Sequence, residues 1–315
     1  MHRKATIALS LLQSLPRSFR HFHQYPPIFI IGAPRSGTSI TLKLFQDQPL
    51  TTVLFEPFQL WQKVFRSSDD DSYRSSYHRP GSWILKSLYY QQILVDKPYL
   101  VVKDPRDSLR VNRLNRLFPD ARFIHVIRDG RDVIASMMKT FQNEVYLTLE
   151  DRWPHVRIPG YRRMLSNPPH INAAHQWKIC VETSLQDFSS IPPERQFHFQ
   201  YEDLVRKPEE VAPRILQFAY PRLEFDRQRL QTIVDSISDR VIQNVPESTD
   251  NSIPNQSSWK DKMKRFSSLV KDDAGSGTTA SERRVNRWQT DLDDKMISEC
   301  REIVGDTLQK LGYEE

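Results

Sequence analysis

The stretch Pro27–Phe45, PIFIIGAPRSGTSITLKLF, constrains this chain more than any other. Ile28-Phe29-Ile30-Ile31 is a short, β-branched apolar run of the length of a buried strand. Gly32 breaks the run, and Ala33-Pro34-Arg35-Ser36-Gly37 has the composition of a tight loop. From Thr38 and Ser39 onward, Ile40, Leu44 and Phe45 mark the buried face of a helix. A strand, a glycine-bounded loop and a helix N-terminus make an anion site. Backbone N–H groups converge in the loop, and the dipole adds about half a positive charge at the helix start. The spacing Gly32-x4-Gly37 matches a nucleotide-phosphate loop, with one difference: Thr38 stands where such a loop carries the lysine that reaches the β- and γ-phosphates. The positive side chain lies inside the loop, at Arg35. A plain glycine-containing turn is the alternative, but Gly, Pro, Arg, Ser, Gly, Thr and Ser directly after an apolar strand favour an anion site.

Short apolar runs recur downstream and alternate with helical patterns. Val53-Leu54-Phe55 ends at Glu56-Pro57, and Tyr99-Leu100-Val101-Val102 ends at Lys103-Asp104-Pro105-Arg106. Arg122–Ile127 ends at Arg128-Asp129-Gly130-Arg131-Asp132 and runs into a helix over Val133–Phe141. Helical periodicity also covers Phe58–Val64, Trp83–Ile93, Ser108–Phe118 and Ile171–Phe188. Alternation of this kind predicts an α/β fold, three layers with a mainly parallel central sheet and right-handed crossovers. Binding residues then belong at the carboxyl ends of the strands, where Arg35, Glu56, Lys103 and Arg128 all fall. Further on, Gln196–Tyr201 alternates as a fourth strand after the first three crossovers. Helices are expected near Glu209–Phe218, around Leu230–Val241 and from Asp291 to Leu311, where Gly312 stops the last. Residues 142–170, with prolines at 154, 159, 168 and 169, read as an irregular substrate-side region; Ser67–Ser82 reads as a polar loop.

The 315 residues suffice for a substantial core, and 38% hydrophobic with 27% charged residues is ordinary for a soluble globular chain. No run of roughly 18 apolar residues is present, so no membrane span is expected. A net charge of +6 and a pI of about 9.2 suit an anionic ligand, and equally nucleic acid or an anionic membrane. Residues 1–25 carry no acidic residue and are expected to be a basic, frayed arm, with a targeting segment as the alternative; residues 26–315 read as one domain. Within it, 251–284 shifts to Ser, Lys, Asp, Gly and Thr and reads as a flexible insertion, a lid in form. A cytoplasmic or otherwise soluble location is the expectation, and a homodimer is left open. Cys180 and Cys300 are too few for a disulfide framework or a cysteine-based zinc site, and both read as buried thiols.

Other polar groups carry two readings each. Arg128 and Ser136, at a strand end and in the helix behind it, can converge on one phosphate as charged fork and neutral donor. They equally suit a structural Arg–Asp network with Asp129 or Asp132 capping the helix. Glu56, held by Pro57, is placed as a general base or as a solvated loop carboxylate. Lys103-Asp104-Pro105-Arg106 is a charged turn or part of a site. Nine histidines show no metal-ligand spacing, and no metal is expected. His125, inside a strand, reads as structural. Lys260-x-Lys262-x-Lys264-Arg265 is a basic run suited to a solvated loop, and nucleic acid is not the expected partner.

Together these residues resemble the PAPS-dependent sulfotransferase family, which joins a phosphosulfate loop to a 3′-phosphate segment with Arg and, eight residues on, Ser. Here these look like Ala33-Pro34-Arg35-Ser36-Gly37-Thr38-Ser39 and Arg128 through Ser136, about 90 residues apart. The PRSGT loop, Glu56-Pro57, Lys103-Asp104-Pro105, Trp177, Tyr201-Glu202-Asp203-Leu204-Val205, Glu247-Ser248-Thr249-Asp250 and Leu311-Gly312-Tyr313 are similar to the tyrosylprotein branch, and the loop and Glu56 also to the carbohydrate branch. The C-terminal cofactor segment is reduced to Arg283-Arg284-Val285-Asn286-Arg287-Trp288, and the 251–284 insertion is longer than the tyrosylprotein pattern. The resemblance implies the P-loop NTPase-like sulfotransferase fold and in-line transfer of a sulfuryl group from PAPS, leaving PAP, to a hydroxyl on a peptide tyrosine, a sugar or a small alcohol or phenol. It implies Glu56 as base, with Arg35 and Lys103 as the other catalytic groups. Pro34, Arg35, Ser36, Gly37, Thr38, Ser39, Arg128, Ser136, Ser248 and Arg287 would hold the cofactor. A P-loop kinase or NTPase, and a non-catalytic nucleotide-binding protein, are the competing classes.

Overall fold

A computed structural model describes residues 14–46, 48–64, 79–142, 156–223 and 285–313, with 228, 231, 232, 234 and 235. Ser248, the basic run at 260–265, the insertion at 251–284, residues 65–78 and residues 143–155 lie outside the described residues; of the polar loop expected over Ser67–Ser82, residues 79–82 are described and are helical instead. The chain forms two compact units, Met1–Tyr201 with Trp288–Glu315, and Glu202–Arg287.

The first unit is built on five parallel strands: β1 (Ile28–Ile31), β2 (Thr51–Phe55), β3 (Tyr99–Lys103), β4 (Arg122–Ile127) and β5 (Gln196–Gln200), in the order β2-β3-β1-β4-β5. All four residues of β1 are buried, as a central strand covered on both faces requires. Its neighbours are β3, with Ile30 opposite Lys103, and β4, with Ile31 opposite His125. The chain leaves β1 toward β3 and β2 and later returns to β4 on the other side. The strand order therefore reverses beside β1, where α/β sheets open a crevice for ligands at the strands' carboxyl ends.

Helices cover both faces. In chain order they are α1 (Thr38–Gln46), α2 (Phe58–Val64), α3 (Arg79–Tyr90), α4 (Val111–Leu117), α5 (Gly130–Gln142) and α6 (Pro169–Phe188). Further along the chain, α7 (Tyr201–Arg206) leads into the second unit, which holds α8 (Pro208–Ala219), and α9 (Trp288–Asp291) and α10 (Asp294–Lys310) belong to the first unit again. Period-two alternation sends Phe29 and Ile31 of β1, Leu100 and Val102 of β3 and Phe123 of β4 into one apolar cluster, with Tyr89, Leu114 and Phe118 from the helical side. A second cluster gathers Val133 and Ile134 of α5, Trp177 and Val181 of α6, and Val304 and Leu308 of α10. Residues 14–24, inside the stretch expected to be an arm, are helical, and Phe22 joins the first cluster. No helix among the described residues is long and apolar enough to cross a membrane.

Expected and observed elements differ mainly at their ends. The helix expected over Ser108–Phe118 is divided into a 3-10 turn, Pro105–Leu109, and α4, because Asp104 caps the turn through Arg106 N and Arg110 between them leaves the helical conformation at φ −144°, ψ 25°. The last helix is likewise split: Asp293 accepts from Met296 N and starts α10 afresh, and Gly312 (φ +78°) lies past its end. In the second unit, α8 keeps Pro213 inside the helix, with Val211, Ala212, Ile215 and Leu216 buried. The periodicity at Leu230–Val241 falls almost wholly outside the described residues.

Candidate active site

The carboxyl ends of β1, β2, β3 and β4 bring four expected side chains to one edge of the sheet. After β1 the loop turns sharply: Ser36 N donates to the Ala33 carbonyl at 3.1 Å, and both Arg35 (φ +69°) and Gly37 (φ +95°) are left-handed. Gly37 is required twice over, by this φ and because a Cβ would collide with the Tyr201 ring. Gly32 has no spare room either, since a Cβ there would lie 2.7 Å from the Val126 carbonyl. Arg35 pays the strain of a non-glycine residue in this region, which persists where neighbouring contacts hold it.

Those contacts join the loop to the β4 end. Arg35 Nε donates to Ser136 Oγ at 3.1 Å, and Arg128 Nη1 donates to the Arg35 carbonyl at 3.0 Å. The Arg–Asp network read for the Arg128 segment is present, with Asp129 at the helix start. Arg128 approaches Asp132 at 3.7 Å, whereas Asp129 holds Arg131, accepting from its backbone N at 2.8 Å and from its guanidinium. The strand end is positioned from behind by α6: Trp177 Nε1 donates to the Arg128 carbonyl at 3.1 Å, and a Cβ on Gly130 would sit 2.8 Å from the Trp177 ring. Only a glycine at the start of α5 lets the indole approach so closely.

The second half of the site is an ion pair. Lys103 Nζ donates to Glu56 Oε1 at 2.8 Å, and Glu56 N donates to the Lys103 carbonyl at 2.7 Å, so side chains and backbones meet together. Lys103 is 3% exposed and its ammonium stands 4.5 Å over the Phe55 ring. Glu56 itself is left-handed (φ +47°), a second strained non-glycine residue at the end of a strand. Below the pair, buried Asp104 accepts from Arg106 Nε at 2.7 Å and from Arg110 Nη2 at 3.3 Å, and Arg110 bonds Asp107 at 2.6 Å. Trp61 stacks on Arg110 at 3.7 Å and donates to the Tyr89 hydroxyl, whose proton is held more tightly than usual by burial.

The edge thus carries a closed loop of backbone donors, two arginines, a serine hydroxyl, and a carboxylate paired with a buried lysine. A family model described as the sulfotransferase family matches residues 26–225. This chain belongs to the sulfotransferase family.

Similar sulfotransferases agree with this. A putative protein-tyrosine sulfotransferase of Caenorhabditis briggsae is 25% identical over 64% of this chain and 68% of its own. The protein-tyrosine sulfotransferase of Drosophila melanogaster is 27% identical over 64% of this chain and 39% of its own, and protein-tyrosine sulfotransferase 1 of Mus musculus 31% over 43% and 40%. The chain therefore spans about 40% of the fly and mouse relatives it matches. Among solved structures, a sulfotransferase domain from the curacin biosynthetic pathway aligns at TM-score 0.54 and 18% identity over 91% of this chain and 97% of that one. Mouse SULT7A1 complexed with PAP aligns at 0.52 and 12% over 90% and 84%. These two establish the fold, the P-loop-like sulfotransferase arrangement.

Arg35, Ser36, Gly37, Thr38, Ser39, Glu56, Lys103, Arg128 and Ser136 of this sulfotransferase all lie in the first unit at the strand ends or the helix starts behind them. Arg287 belongs to the second unit. Two contributors escaped residue-by-residue reading. Tyr201, expected as the end of the strand Gln196–Tyr201 and as part of the family likeness, instead opens α7, covers Gly37 and stacks on the Arg128 guanidinium at 4.6 Å. The Asp104–Asp107–Arg110 cluster that braces the β3 end was legible only as a charged turn. A signal existed for Tyr201: it is the first residue after β5, a strand end beside β4.

Proposed function

We propose that this chain transfers a sulfuryl group from PAPS to the phenolic hydroxyl of a tyrosine in a polypeptide. The carrying observation is the pair of buried Lys103 with partly exposed Glu56, in a chain whose phosphate-type loop lacks the NTPase lysine. Relatives named protein-tyrosine sulfotransferases support the tyrosyl acceptor.

Fit to the donor is supported by an orphaned group: among the described residues Ser36 Oγ is buried and has no hydrogen-bond partner. A hydroxyl left so inside a loop of converging N–H groups suits an anionic oxygen. Arg35, Ser36 Oγ and the backbone N–H groups of Gly37, Thr38 and Ser39, shaped by Pro34, would hold the 5′ side of PAPS, and Arg128 with Ser136 its 3′-phosphate. The Arg35–Ser136 hydrogen bond links the two halves. PAPS, when bound, supplies an activated sulfuryl group with a phosphate leaving oxygen. Glu56 removes the proton from the tyrosyl oxygen at Oε, and Lys103 Nζ beside it donates hydrogen bonds to the oxygens that become more negative. One preorganised donor of this kind is typically worth roughly 3–4 kcal/mol. Lys103 also fixes the Glu56 carboxylate through its 2.8 Å hydrogen bond, the positioning a base needs.

Transfer of labelled sulfate from PAPS to tyrosine-containing peptides, sugars and small phenols tests the proposal. Label on the peptide tyrosine is the expected outcome; label only on a sugar or a free phenol reassigns the acceptor. ATP hydrolysis without sulfuryl transfer would move the chain to the NTPase class, against which Thr38 in the lysine position argues.

A further inference from the structure

Lys86 on α3 lies away from the donor loop, and only 6% of it is exposed. Its ammonium nitrogen stands 4.2 Å from the centre of the Phe19 ring and 5.4 Å from that of Phe118. It forms no hydrogen bond or ion pair with any described residue. Together with Phe22, His23, Pro119 and Asp120 these side chains enclose a cavity of about 220 Å³. His23, Pro119 and Asp120 are exposed and form its rim, where His23 Nδ1 meets Asp120 Oδ2 at 3.0 Å. The one carboxylate nearby is therefore engaged at the mouth, while the amine faces aromatic walls inside.

A buried ammonium without a counter-ion is costly, and burial pushes the Lys86 pKa down to about 8 against the opposing pull of the Asp120 charge. Cation–π contact with the two rings returns part of that cost, as it would for a purely structural lysine. What such a role leaves unexplained is the open cavity beside the nitrogen and the half-exposed Phe19 ring over it. An unprotonated amine is a nucleophile, and desolvation in an apolar pocket is one of the ways a lysine is activated.

We propose that Lys86 is an acyl-accepting lysine, taking a short apolar acyl group from a small acyl thioester into the pocket walled by Phe19, Phe22 and Phe118. The free-base nitrogen attacks the thioester carbonyl carbon; the N–C bond forms, the C–S bond breaks, and the nitrogen's proton leaves with the thiolate. The products are an amide and a thiol. The amide carries no charge to desolvate, and the acyl chain fills the cavity against the three rings.

The test uses the full chain with the S-acetyl and S-butyryl thioesters of N-acetylcysteamine from pH 7 to 10, following acyl occupancy of each lysine by peptide mass spectrometry. At pH 8 Lys86 should react at least about tenfold faster than exposed Lys295, and its rate should level off above about pH 9, as an amine with a lowered pKa requires. Butyryl should be preferred over acetyl several-fold at Lys86 and not at Lys295. Phe19→Ala should erase that preference and move the levelling to higher pH. A Lys86 no faster than Lys295, a rate still climbing at pH 10, or equal acetyl and butyryl rates in the unmodified sequence would each overturn the proposal. None of these measurements depends on the variant folding.

Discussion

At the scale of single residues, Glu56 and Lys103 divide the proposed chemistry from binding. Glu56→Gln keeps the side chain's size and its hydrogen bond to Lys103 but cannot take a proton. We expect donor affinity within about twofold of the original sequence and turnover lower by about 10²–10⁴-fold, the range for a lost general base, read by pairing a sulfate-transfer assay with PAP calorimetry. Near-normal turnover in Glu56→Gln would remove the base assignment. Arg128→Ala is expected to behave oppositely. It deletes a charged fork whose Nη1 also holds the Arg35 carbonyl, so PAP affinity should fall by at least about tenfold, each 1.4 kcal/mol of lost binding being a factor of ten. Gly37→Ala is a harsher change, because the left-handed backbone and the Tyr201 ring both exclude a methyl group. Its predicted signature is loss of donor binding with the remaining fold intact by circular dichroism.

Between elements, the cross-strand contact of β4 and β5 sets a pH dependence. His125 and His198 are register partners with Nδ1 atoms 3.0 Å apart, and His125 Nε2 lies 3.2 Å from Ser184 Oγ on α6. Burial, reinforced by the charge of its neighbour His198, holds the His125 pKa well below 6.5; burial also lowers that of His198. Since the folded values lie below the unfolded one, the unfolded chain binds more protons over that interval, and stability is lost as pH falls from about 6.5 toward the folded values. Chemical denaturation at pH 7.5 and pH 5.5 should show this loss, and His125→Gln, which has an amide but no titration here, should reduce it. An unchanged pH slope in His125→Gln would place the acid sensitivity elsewhere. The packing of α6 on the start of α5 makes a separate forecast. Trp177→Phe removes the bond to the Arg128 carbonyl while keeping an aromatic ring over Gly130, so it should cost about 0.5–1.5 kcal/mol of stability and weaken donor binding more than it alters turnover.

For the molecule as a whole, a net charge of +6 and two arginines at the donor loop favour encounter with a multiply charged anion. Steering of this kind is screened over about 8–10 Å at ordinary salt, so kcat/KM for the donor should fall as ionic strength rises, mostly through KM. A flat salt response would confine the electrostatics to the buried contacts. The acceptor is a property of the whole molecule too. The regions expected to shape its path, within 142–170 and 251–284, include residues 143–155 and all of 251–284, which lie outside the described set, so the peptide, sugar and phenol panel rather than the donor loop discriminates among acceptors.

Much of the architecture was legible in chain order alone. Apolar runs of four to six residues, each ending in a polar turn and followed by a helical period, can bury both faces only as a parallel sheet between helices, and β1, β3 and β4 lie where those runs stand. The turn after β1 was legible too, because the left-handed backbone at Gly37 is a local demand, whereas the Val126 carbonyl that keeps Gly32 small and the Tyr201 ring over Gly37 arrive only with folding. Sequence could not say which strands are neighbours, because parallel pairing is non-local. The order β2-β3-β1-β4-β5 brings Glu56 and Lys103, 47 residues apart, to 2.8 Å, and Arg35 and Ser136, 101 apart, to 3.1 Å. Folding also brought out the Arg–Asp network of the Arg128 segment, with Asp132 beside Arg128 and Asp129 committed to Arg131. Tyr201 shows the same limit in one residue: its ring matters because folding lays it on Gly37 and Arg128, and only the packing of strand ends brings those three together.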